Sequence, residues 1–170
     1  KISKYLIKNK ADYLFVSAPE NVALGLNIRG GDGPNSPVPN SRLIISKTKK
    51  IIFISKIQKF KKLIKEKVIK KNELISIDNF STKISKLNGE NFIIDNNSCS
   101  ISFENIIKSK FKILKREDPI YFLKAIKNKV EINNMKIAHI RDGVALTKFI
   151  YWIKNINKNK ITEIDAEKKL

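Results

Sequence analysis

The chain has 170 residues, 42% of them hydrophobic, and a formal net charge of +19, enough for one full domain plus part of a second. No apolar run approaches the ~20 residues of a membrane-spanning helix, and Cys99, the only cysteine, excludes an internal disulfide. One Cys and one His, His139, leave too few ligands for a Cys/His zinc site.

Residues 1–10 read as the end of a helix, with Ile2, Tyr5 and Leu6 on one side. Lys1-Ile2-Ser3-Lys4 lacks the apolar stretch of a signal peptide and there is no initiator Met, so the chain reads as a piece of something longer. Ala11-Asp12 leads into an apolar strand, Tyr13-Leu14-Phe15-Val16. Pro19 suits a first helical turn and opens a short helix over 19–26. A loop rich in Gly, Pro, Asn and Asp follows, Asn27-Ile28-Arg29-Gly30-Gly31-Asp32 and then Ser36-Pro37-Val38-Pro39. Backbone demands shape such a loop: Gly supplies positive φ, Pro fixes φ, and Asn and Asp bond locally. Ligand sites favour loops of this kind on rigid scaffolds. Arg29 and Asp32 are therefore candidate cleft-facing residues; the competing reading is that they hold the loop by pairing with each other or with backbone.

Arg42-Leu43-Ile44-Ile45-Ser46 and Ile51-Ile52-Phe53-Ile54 flank Lys47-Thr48-Lys49-Lys50 and predict a hairpin. Residues 47–71 carry eleven Lys against Glu66. Within them Ile57, Phe60, Ile64 and Val68 predict a helix over 56–68 with one buried stripe and solvated lysines elsewhere. Lys supplies 31 of the 35 basic residues, whereas Arg is the preferred reader of phosphate and guanine. The charge therefore argues for a solvated face, not a specific nucleic-acid groove. Next come a strand at Leu74-Ile75-Ser76-Ile77, a helix from Asp78 as N-cap to about Leu87, a turn at Asn88-Gly89 and a strand at Phe92-Ile93-Ile94-Asp95. A helix over 100–109 and a strand at Phe111-Lys112-Ile113-Leu114 complete an α/β domain with a mixed sheet.

Arg116-Glu117-Asp118-Pro119 reads as a boundary, dividing the chain into 1–116 and 117–170. Beyond it the pattern is helical to about Asn157, with Ile137, Ile140, Val144, Thr147 and Tyr151 at helical spacing. Gly143 predicts a break or a close approach there. Thr162-Glu163-Ile164-Asp165 has the capping-box form.

No catalytic constellation assembles. His139 stands at helical spacing from Asp142 and could bond to its carboxylate or to neighbouring groups, without a nucleophile or water-positioning partner. Gly25 and Gly30 have P-loop spacing, but Gly31 stands where Lys must be.

Two blocks carry more. Asn21-Val22-Ala23, Asn27-Ile28-Arg29-Gly30, Asp32 and Pro37-Val38 form the first. The second comprises Asp118-Pro119-Ile120, Lys124-Ala125-Ile126-Lys127-Asn128, Glu131 and Ala138-His139-Ile140-Arg141-Asp142-Gly143-Val144-Ala145-Leu146, with Phe149, Trp152 and Thr162-Glu163 beyond. In that order they resemble the long, three-domain Xaa-Pro aminopeptidases of the creatinase/prolidase family, over essentially the whole chain. One departure is Leu24-Gly25, where the family has Trp and another large apolar residue; Gly there predicts a weakened helix.

The resemblance implies a creatinase N-terminal-like α/β domain, with a mixed five- to six-stranded sheet flanked by helices, over 1–116. It implies the first helices of a pita-bread metallopeptidase domain over 117–170. Enzymes of this family release the N-terminal residue from peptides with proline second, using two divalent metals, typically Mn²⁺. By resemblance the metal ligands lie beyond Leu170, so no catalytic or metal role falls on this segment, and His139, Arg141 and Asp142 form a structural motif. The implied role is to wall the cleft and support a homodimer of a cytoplasmic enzyme, with no membrane and no specific nucleic acid as partner. The alternatives are a non-enzymatic pita-bread-related binding module and a basic nucleic-acid-binding domain.

Overall fold

The computed structural model describes residues 1–33, 35–56, 61–156 and 161–170. They fall into two compact units, Lys1–Ala125 and Ile126–Leu170.

The first unit is built on a six-stranded mixed sheet. Its strands are β1 (Tyr13–Val16), β2 (Arg42–Ser46), β3 (Ile51–Ile54), β4 (Leu74–Ile75), β5 (Asn91–Ile94) and β6 (Lys112–Lys115), in the order β4-β3-β2-β1-β5-β6. The expected hairpin is β2–β3, antiparallel with Leu43 opposite Phe53, and β2 is also antiparallel to β1. The pairs β3–β4, β1–β5 and β5–β6 are parallel, so β2 alone runs against the rest. The central strands are apolar on both faces because both faces are covered. Leu14, Val16, Leu43, Phe53 and Ile93 pack with Leu6 of α1 (Ile2–Lys8), Val22 of α2 (Pro19–Leu26) and Ile120 of α6 (Pro119–Ala125). On the other face Phe15, Ile44, Phe92 and Ile94 meet Phe80 and Ile84 of α4 (Phe80–Ser85) and Ile107 of α5 (Ile101–Lys108). Phe103 closes edge-to-face on Phe80, with ring centroids 4.9 Å apart.

Several expectations are corrected. The Lys-rich helix appears among the described residues only as α3 (Lys61–Lys65); Ile57 and Phe60 lie outside them. Lys67 takes a left-handed φ of 57°, which turns the chain so that Ile69, 1% exposed, enters the core instead of Val68, 39% exposed. The strand at 74 stops after Ile75, since Ile77, 44% exposed, begins a short 3₁₀ turn, Ile77–Asn79. Asp78 sits in that turn, accepting from Ser76 Oγ at 2.9 Å, and α4 starts after Asn79. Leu24-Gly25 does not break α2. A Cβ at Gly25 would meet Ile120 Cδ1 at 3.6 Å, ordinary contact distance. Ile120, 3% exposed, carries α6 against the core of the first compact unit.

The second unit contains α7 (Lys129–Asn155) and α8 (Glu163–Lys169). Asn128 and Glu131 form a capping box at the start of α7, and Thr162 and Asp165 form the expected one for α8. Gly143 does not break α7; among the described residues nothing lies within 4 Å of its would-be Cβ, and Thr147 Oγ1 donates to its carbonyl at 2.7 Å. Lys169 Nζ lies 5.9 Å from the Trp152 ring centroid.

Candidate functional site

In an open α/β sheet the crevice beyond the carboxyl ends of the parallel strands is where loops converge and ligands bind. The register puts the ends of β1, β3, β5 and β6 and the start of β2 on one side of this sheet. Seven polar or charged side chains are buried among the described residues, and six gather there: Ser17, Asn21, Ser41, Ser55, Asp95 and Asp118. Ser46, the seventh, lies at the opposite end.

Asp95 leaves β5 and turns inward. Its Oδ2 accepts from the Asp118 backbone N–H at 2.9 Å and its Oδ1 from Asn97 N–H at 2.9 Å. Asp118, 1% exposed, accepts from Ile120 N–H at 2.9 Å through Oδ1 and from Asn21 Nδ2 at 2.8 Å through Oδ2. Burial pushes its carboxyl above the ordinary range, and the bonds from Ile120 and Asn21 oppose that only in part. Asn21 Oδ1 is buried with no hydrogen-bond partner among the described residues. Beside the network, Tyr121 O–H donates to Glu20 Oε1 at 3.2 Å; burial, then the Glu20 charge, pushes the phenol up to about 12. Burial likewise pushes the Cys99 thiol up to about 11, which makes it a poor nucleophile. The carboxylates are engaged by N–H donors and hold the segment entering α6. Among the described residues no three His, Cys, Asp or Glu side chains converge as metal ligands, so the residues present do not fit a metal pair.

The second part of this end is a cavity of about 180 Å³ lined by Asp32, Asn40, Ser41, Arg42, Ile54, Ser55, Lys56 and Ile77. The Gly/Pro loop folds onto it. Asn27 ends α2 with a left-handed φ of 51°, and Ile28 N–H bonds back to the Ala23 carbonyl at 2.9 Å. Gly30 N–H donates to the Pro37 carbonyl at 3.1 Å; a Cβ at Gly30 would lie 2.7 Å from Pro39 Cα, so this crossing admits only glycine. Asp32 Oδ2 accepts from Asn40 N–H at 2.8 Å, and Arg29 Nη1 donates to the Ile28 carbonyl at 2.9 Å. Both loop candidates are thus tied to backbone, and only Asp32 lines the cavity.

His139 lies exposed on α7, its Nδ1 2.9 Å from the Met135 carbonyl O one turn back. Arg141 and Asp142 are exposed on the same helix. Sequence reasoning missed the roles of Asn21, Asp95 and Asp118. The available signals were an Asp directly after an apolar strand, an Asp-Pro pair opening a helix, and an Asn inside an apolar helical run.

Comparison with known proteins bears on this arrangement. Residues 1–131 match the family model described as the creatinase/prolidase N-terminal domain. Among curated proteins, Xaa-Pro aminopeptidase 1 of Dictyostelium discoideum is 33% identical over 162 residues, covering 91% of this chain and 24% of its own length. A probable Xaa-Pro aminopeptidase P of Penicillium rubens is 34% identical over 176 residues, covering 96% of this chain and 28% of its own. The chain thus spans about a quarter of the length of these relatives. Two solved structures share the fold. One is X-prolyl aminopeptidase from Caenorhabditis elegans, described as a cytosolic enzyme with a di-nuclear active site (TM-score 0.77, 21% identity, 99% of this chain and 29% of that one). The other is prolidase from Pyrococcus furiosus (TM-score 0.68, 22% identity, 98% and 46%).

Proposed function

Because the chain belongs to the creatinase/prolidase N-terminal domain family, we propose that it is the non-catalytic supporting segment of a metallo-aminopeptidase. That enzyme releases the first residue from peptides with proline second. The observation that carries this reading is the alignment with Xaa-Pro aminopeptidases over 91% and 96% of this chain at 33% and 34% identity. The geometry supports it: the buried carboxylates at the functional end of the sheet bind backbone and amide N–H groups, a scaffold role. The domain division at 116/117 belongs to the same reading, with 117–170 opening the pita-bread half. So do the cleft-facing role of Arg29 and Asp32, a pair of Mn²⁺ ions held by residues outside this segment, a homodimer and a cytoplasmic location. A metal pair held outside this segment would supply the activated water; the role proposed for the residues here is to fix the loop and linker beside the cleft.

The experiment is release of the first residue from an Xaa-Pro peptide by the full-length gene product. Cleavage that chelation abolishes and Mn²⁺ restores supports the reading; absence of cleavage under every divalent metal overturns it.

A further inference from the structure

Arg42 opens β2 and lines the 180 Å³ cavity described above. Its Nη1 donates to the Ser41 carbonyl at 2.8 Å and to Asn40 Oδ1 at 3.1 Å, which fixes the plane of the guanidinium. Its Cζ lies 5.9 Å from the centroid of the Phe103 ring. Among the described residues Nε and Nη2 have no hydrogen-bond partner, and no carboxylate forms an ion pair with Arg42. Glu20, the carboxylate whose charge reaches it, is itself taken by Tyr121 O–H.

A half-buried guanidinium held by its Nη1 leaves the edge that grips a planar two-oxygen anion uncommitted. We propose that this cavity is a binding site for a single carboxylate group, gripped by the Nε–Nη2 edge of Arg42 and supported by Lys56. Ile54 and Ile77 offer apolar wall to a short carbon stem. At about 180 Å³ the space is below the ~300–1,000 Å³ of sites that enclose whole small molecules. That size suits a carboxylate with a short stem. The nearby carboxylates of Asp32 and Glu20 favour a singly charged anion over a dianion. The carboxylate belongs either to a free small acid or to an Asp or Glu side chain of a protein segment. The proposal is independent of the peptidase reading, because its readout is binding and not turnover.

The test is calorimetric titration of the full-length protein with propionate, with a blocked peptide carrying one Glu, and with inorganic phosphate. Saturable binding of propionate, or of the peptide alone, is the expected result; propionate binding identifies a free acid and peptide-only binding a side-chain donor. Arg42→Gln should weaken it about tenfold or more, the loss of a charged hydrogen-bonding partner. Arg42→Lys, which keeps the charge without the fork, should also weaken it, and Lys49→Gln, in the exposed β2–β3 turn, should not. Where Arg42→Gln fails to fold, by its thermal unfolding profile, the lysine variant decides. No saturable carboxylate binding, equal affinity in Arg42→Lys, or phosphate binding as tight as propionate would overturn the proposal.

Discussion

Asn21 Nδ2 donates to Asp118 Oδ2 at 2.8 Å across 97 positions of sequence. The bond joins α2, which feeds the Gly/Pro loop, to the residue that starts α6. The two blocks of family-like sequence therefore meet at one buried contact.

Breaking that contact should cost stability. Asn21→Ala leaves a buried carboxylate short of a donor, worth about 1–3 kcal/mol. Asn21→Asp should cost more, since it sets two buried carboxylates together. A double-mutant cycle with Asp118→Asn, read by urea unfolding, should show non-additivity of at least ~0.5 kcal/mol; strict additivity would mean that the pair is uncoupled.

Two carboxylates should respond to pH in opposite directions. For Asp12, burial raises the carboxyl, but Lys47 at 2.6 Å and the Glu90 and Asn91 N–H groups outweigh it, and its folded value lies below the reference of 3.8. Its contribution is present above 3.8 and is lost as pH falls through the folded value. For Asp118, burial sets the folded value above 3.8. The fold then favours the protonated form, and its contribution declines as pH rises from 3.8 through the folded value. Stability against pH from 2.5 to 7 should show a smaller drop below pH 3.8 in Asp12→Asn and a smaller decline above pH 3.8 in Asp118→Asn. Shifts of the same sign in both variants would contradict this assignment.

Two glycines should separate cleanly. Gly25→Ala meets only Ile120 Cδ1 at 3.6 Å and should be neutral or stabilising by up to ~1 kcal/mol, the helix preference for Ala. Gly30→Ala collides with Pro39 at under 3 Å and should destabilise by about 1–3 kcal/mol. Thermal unfolding of the two variants checks the contrast.

Cys99 should be inert. With its thiol pushed up to about 11 by burial, little thiolate exists near neutral pH. A disulfide reagent should label it far more slowly in the native protein than in urea; equal rates would show that the thiol is accessible.

The alternation of short apolar strands with helices was legible because each strand runs apolar between polar breaks, and the β2–β3 hairpin announced itself through Lys47–Lys50. The order of strands was not, since β1 pairs with β5 across most of the unit and no local pattern encodes that. Local signals also misplaced Asp78 and Val68, where turns shifted the register by one or two residues. At the candidate site Asp32 stood out through its loop, but Asn21, Asp95 and Asp118 became a unit only when three distant segments met. Arg42 looked like an ordinary strand residue until its half-committed guanidinium was seen beside a cavity.

The central claim is that these residues support a reactive centre located elsewhere in the parent enzyme. Its most direct test is the turnover number of the full-length protein on an Xaa-Pro peptide, with bound metal measured on the same samples, after His139→Ala and Cys99→Ala. The account predicts unchanged kcat and unchanged metal content in both. Loss of bound metal, or a collapse of kcat in a folded variant, would contradict it.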